Sequence, residues 1–149
     1  MKSLKNQLVK LILPLVGVGL LIGAFSTAIA GDAPHKIVIQ VSTDDAKTQK
    51  IALNNAVNVQ KLYGMDNVAI EIVAYGPGLG ILTTKSPESA RVKSLALQNI
   101  KFSACGNTMA KIEKKTGKKP ELTEGVGVVK AGVARIMALQ EEGYSYLRP

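Results

Sequence analysis

Short β-branched runs alternate with amphipathic segments along this chain, and that alternation limits the fold more tightly than any other feature. The first run is 36–41 (KIVIQV). Ser42, Thr43, Asp44 and Asp45 follow it, with side-chain oxygens suited to capping a helix. The spacing predicts a helix over 46–63 that closes at Gly64, with Ile51, Ala52, Ala56, Val59 and Tyr63 on its apolar face. A second run, 68–74 (VAIEIVA), leads into Tyr75-Gly76-Pro77-Gly78-Leu79-Gly80, which reads as a loop. Ser86-Pro87-Glu88 then has the marks of a helix start: a capping hydroxyl, proline in the first turn and an acid beside it. A third strand is expected over 101–104, and a helix opening at Asn107-Thr108 should end near Gly117. The last elements are a strand at 127–129, a helix over 131–142 stopped by Gly143, and a strand over 144–147.

Such an order predicts an α/β fold: one three-layer domain, with a Rossmann-like parallel sheet of about five strands and helices on both faces. The first two runs are almost continuously apolar, as strands covered on both sides should be. Sites in these sheets form beyond the carboxyl ends of the strands. Ser42 to Asp45, Tyr75 to Gly80, Cys105 to Asn107 and the Val129-Lys130 junction should therefore face a common region.

The N-terminus is of another kind. Lys2, Lys5 and Lys10 precede an uncharged stretch from Leu11 to Gly31, and Ala28-Ile29-Ala30 supplies the small-x-small pattern of a signal-peptidase site. Residues 1–30 are expected to be a signal peptide cleaved after Ala30, which places residues 31–149 in the periplasm with no membrane attachment. The alternative is an uncleaved anchor, against which Pro14 and the glycines argue. Of the net charge of +8, the three leading lysines carry a share, so the remaining excess is modest. With aromatics at only 4% and no Trp, there is no basic stripe interleaved with stacking rings, so no nucleic-acid partner is expected. One His and one Cys cannot make a Cys/His zinc site or an intrachain disulfide, and no metal or cofactor is expected.

Cys105 is the sharpest chemical feature, because it stands where a strand ends and a helix begins. First-turn amides and the positive end of the helix dipole favour thiolate over thiol there, and a thiolate can attack a disulfide or a sulfane sulfur. The competing account is a small buried hydrophobe. Cys105-Gly106-Asn107-Thr108 has the form of a C-x-x-C motif with Thr108 in place of the resolving thiol, which excludes dithiol chemistry within the chain but leaves exchange with a partner open. The glycine loop after 68–74 fails the dinucleotide fingerprint because Ile81 occupies its last small position. Tyr75, Gly76, Pro77 and Gly78 are better placed as a pocket wall beside Cys105. His35 precedes the first strand, too far along the chain's start to serve as a ready base. Asp44 and Asp45 suit capping. Lys111, Lys114, Lys115, Lys118 and Lys119 read first as a solvated face near a helix C-terminus and second as a steering patch for anions.

Taken together, KIVIQVS, VAIEIVAYGPGLG, KFSACGNT and GVVKAGVARIMALQEEGYSYLRP resemble the DsrE/DsrF-like proteins over nearly all of residues 31–149. The resemblance implies a Rossmann-like sheet, assembly of like subunits into trimers or hexamers, and a cysteine that accepts and passes sulfur as a persulfide. Cys105 is the residue onto which that cysteine maps. A sulfurtransferase-like carrier is thus expected, its partner a sulfur donor or acceptor protein or a small sulfane-sulfur species. The alternative is a non-catalytic oligomeric binding or assembly module with a structural cysteine.

Overall fold

The computed structural model describes residues 33–149, so the leader expected over 1–30 lies outside the described residues. The elements run β1 (His35–Val41), α1 (Ala46–Tyr63), β2 (Val68–Ala74), a 3-10 helix (Gly76–Leu82), α2 (Ser89–Ala96), β3 (Ile100–Cys105), α3 (Gly106–Thr116), β4 (Val126–Val129), α4 (Gly132–Glu141) and β5 (Ser145–Leu147). Among the described residues the five strands form one sheet of order β4-β3-β2-β1-β5, every pair parallel.

That order decides where the helices go. From β1 to β4 each crossover moves one strand in the same direction, so right-handed connections place α1, α2 and α3 on one face. The step from β4 to β5 runs back across the whole sheet, and the same handedness puts α4 on the other face. Packing agrees. Ala52, Leu53, Ala56, Val92, Leu95 and Met109 lie in one core with Ile39, Ile72 and Phe102. Ile136 and Leu139 of α4 instead close over Val38 and Val73. The fold is the expected single-domain, three-layer α/β architecture, with its two faces unequally covered.

Local differences have local causes. Residues 76–82 form a 3-10 helix rather than an open loop, because Leu79, Ile81 and Leu82 need burial and Pro77 suits its first turn. The helix expected at Ser86 begins at Ser89, since the Ser86 hydroxyl is used inside a turn, accepting the Glu88 N–H at 3.1 Å. On α1 the buried stripe is Gln49, Ala52, Leu53 and Ala56, so Leu53 takes the core place assigned to Ile51 and Tyr63. Tyr63 instead stacks on His35, ring centroids 3.8 Å apart.

Under α4 the sheet carries a charge. Glu71 is 2% exposed. Arg135 of α4 grips it with two hydrogen bonds, Nε to Oε1 at 2.9 Å and a terminal nitrogen to Oε2 at 2.7 Å. Ser103 donates to Oε1 at 2.6 Å, and Lys101 lies 3.3 Å from Oε2. Burial pushes the Glu71 carboxyl up, but Arg135, Ser103 and Lys101 together hold it below its ordinary value. Its contribution to stability is therefore present above the ordinary carboxylate pKa and is lost as pH falls through the depressed folded value. Replacing Arg135 by Met strands a buried carboxylate and should cost about 3 kcal/mol in denaturant unfolding at neutral pH. Glu71→Gln should flatten the acid limb of the stability profile measured by thermal melts.

Candidate functional site

At the carboxyl edge of the sheet the chain comes within contact of itself repeatedly. The Tyr75 N–H donates to the Val41 carbonyl at 3.1 Å, and Gly78 lies so close to the end of β1 that a Cβ there would sit 2.3 Å from the Val41 oxygen. The Asn107 N–H donates to the Lys130 carbonyl at 3.2 Å, tying the start of α3 to the β4–α4 junction. A Cβ on Gly106 would meet the Val129 oxygen at 3.1 Å, and one on Gly132 would meet the Tyr75 ring at 3.0 Å. Finally, the Gly76 N–H donates to the Thr108 hydroxyl at 3.0 Å.

Cys105 lies at the centre of these ties. It ends β3 and is the N-cap of α3, and its residue is 5% exposed. β3 and β4 are neighbours whose following helices go to opposite faces, so Cys105 occupies the topological switch point of the sheet. Two helix N-termini consequently approach one sulfur. Burial raises the Cys105 pKa, yet the Thr108 hydroxyl and the N–H groups of Gly132, Thr108 and Asn107 outweigh it and leave the thiol below its ordinary value. These are electrostatic approaches to a large, diffuse acceptor: as N-cap, Cys105 makes no side-chain capping hydrogen bond of normal geometry. The arrangement can stabilise an anion on sulfur.

The structure brings Cys105, Gly106, Asn107, Thr108, Tyr75 and Gly76 together. Gly78 stands apart from them, buried against the end of β1, and Pro77 lines a cleft whose wall also includes Gly76 and Thr108. His35 opens β1 and donates its N–H to the Asn67 carbonyl, so it sits at the amino edge of the parallel sheet, a strand length of about 20 Å from Cys105. Asp45 caps α1 through the Thr48 N–H at 2.7 Å, and Asp44 is exposed. Sequence reasoning overlooked Gly132. Its signal was a small residue opening the helix after a strand end, in Val129-Lys130-Ala131-Gly132.

Fold and site define a class: Rossmann-like α/β domains with a cysteine at the sheet's switch point, held between two helix starts. The chain belongs to the DsrE/DsrF-like family, whose model matches residues 35–149. It is similar to a solved structure of a protein of unknown function from Methanobacterium thermoautotrophicum, at 34% identity and a TM-score of 0.69, covering 77% of this chain and 99% of that one. The ychN protein from E. coli shares the fold, at 15% identity and a TM-score of 0.62, over 77% of this chain and 99% of its own. No curated protein matches the chain.

Thr108 is the one side chain among the groups that lower the Cys105 pKa. Thr108→Val should raise the pH midpoint of thiolate formation, followed by ultraviolet absorbance, and should cost about 1 kcal/mol by leaving the Gly76 N–H without its acceptor. Thr108→Ser should restore both.

Proposed function

We propose that this chain is an exported sulfur carrier that holds sulfur as a persulfide on Cys105. The observation that carries the reading is the sulfur's position between the first turns of α3 and α4, where its pKa is lowered in spite of burial. The Cys105 thiolate attacks the sulfane sulfur of a donor such as thiosulfate or a polysulfide. A bond forms between Sγ and that sulfur, the donor's S–S bond breaks, and its electron pair leaves with sulfite or the shortened polysulfide. An acceptor thiolate reverses the step by attacking the outer sulfur, which releases Cys105 as thiolate. No external oxidant is required. Asn107, Thr108 and Gly132 stabilise the anion at both stages, and Gly106 lets the β4–α4 junction approach.

Intact-mass measurement after treatment with polysulfide should show one added sulfur, removable by a small thiol and missing from Cys105→Ser. The 5% exposure of Cys105 also favours a second reading, a structural cysteine in an assembly module. Rapid sulfur loading, combined with slow labelling by a bulky disulfide reagent, separates the carrier from that alternative. A packed cysteine would resist both.

Two further parts of the proposal rest on other observations. Export is supported by the leader pattern in residues 1–30 and by the start of the family match at residue 35; secreted protein should begin at Gly31 by N-terminal sequencing. Homo-oligomerisation, as trimer or hexamer, is supported by α4. On its outer side Val133 and Met137, one turn apart, are 59% and 58% exposed. Met137→Lys should shift the mass measured by light scattering toward the monomer without lowering the melting temperature of the subunit.

A further inference from the structure

A cavity adjoins the Cys105 site, with Gly76 and Thr108 in its lining and Cys105 outside it. It is a cleft of about 760 Å³ between the 3-10 helix, the outer side of α3 and the chain that returns from α3 over residues 118–121. That volume is in the range of sites for small organic ligands. Its floor is aliphatic, made by Pro77, Leu79, Ile112 and Pro120. No aromatic ring lines it, so the cleft offers nothing on which a base could stack.

Its rim is cationic. Lys85, Lys111, Lys115, Lys118 and Lys119 all border the cleft, and among the described residues none of the five makes an ion pair. Glu121 is the one carboxylate on the lining, and it already accepts a hydrogen bond from the Thr84 hydroxyl at 3.1 Å. Placing Lys111 and Lys115 one turn apart over an apolar floor adds mutual repulsion unless an anion sits between them. A merely solvated lysine face has no need of the concave aliphatic surface beneath it.

We infer that this cleft binds a free anionic amphiphile, an aliphatic chain carrying a carboxylate or similar head, with the chain over Pro77 and Ile112 and the head among the lysines. Gly76 and Thr108 are shared with the Cys105 site, but Cys105 does not line the cleft, and binding there does not require sulfur transfer. Titration calorimetry on the full chain with decanoate, decanol and inorganic sulfate tests it. Decanoate should bind at one saturable site, with decanol and sulfate each at least about tenfold weaker, and the affinity should fall with added salt. Lys111→Gln combined with Lys115→Gln should weaken decanoate by about tenfold, while Lys61→Gln, on α1, and Cys105→Ser leave it unchanged. The inference is overturned if decanoate does not saturate, if decanol binds as tightly, or if the double variant binds as the parent does. Cosedimentation with phosphatidylglycerol vesicles that depends on the same two lysines, without decanoate binding, would assign the face to a lipid surface and overturn it equally.

Discussion

The handedness of the β-α-β crossover is the constraint from which the site follows. Three connections carry the chain outward from β1 to β4, and the fourth brings it back to β5. The turnaround sends α3 and α4 to opposite faces from adjacent strands, so their first turns open onto the same gap. Each first turn carries amide hydrogens without intrahelical partners and a positive fractional charge. A single cysteine at the end of β3 falls between them. Burial alone would drive its proton on, and the Thr108 hydroxyl together with the paired helix starts reverses that result.

The environment of the sulfur is built mainly from main chain. Gly106 and Gly132 matter because they lack a Cβ, which admits the Val129 carbonyl at one and the Tyr75 ring at the other. Thr108 is the exception, and its hydroxyl is fixed from behind by the Gly76 N–H. A site made of amides and missing side chains leaves little in sequence beyond a cysteine and some glycines. That is the physical reason the Cys105-Gly106-Asn107-Thr108 segment carries so weak a signature.

The fold was therefore far more legible than the site. Strands such as 68–74 announce themselves because burial on both faces demands a continuous apolar run, and α3 ends at Gly117 in the left-handed conformation that such a stop requires. The errors fell where tertiary packing overrode a local signal. Gly76-Pro77-Gly78 looks like a breaker, yet burial of Leu79 and Leu82 winds it into a 3-10 helix. Ser86 looks like a cap, yet its hydroxyl closes the preceding turn. Within the site, proximity of Tyr75 and Cys105 followed from strand order. The role of Gly132 did not: the pattern put the Val129-Lys130 junction at the same edge of the sheet, but nothing in it says that the Gly132 N–H is turned toward the sulfur.

Burial and a lowered pKa together bear on which sulfur adduct such a site favours. A thiolate and a persulfide are both anions, so on the proposed reading loading replaces one negative charge with another near the same two positive helix starts. A mixed disulfide is neutral. Forming one would surrender that stabilisation and would also force a partner's chain against a residue that is 5% exposed. On the proposed reading, the two helix starts thus select between products as well as lowering the pKa. They hold a small charged sulfur species in place and oppose the bulky neutral one. On that reading a second cysteine is not needed: where the adduct to be carried is an anion and not a disulfide, Thr108 serves better than a resolving thiol.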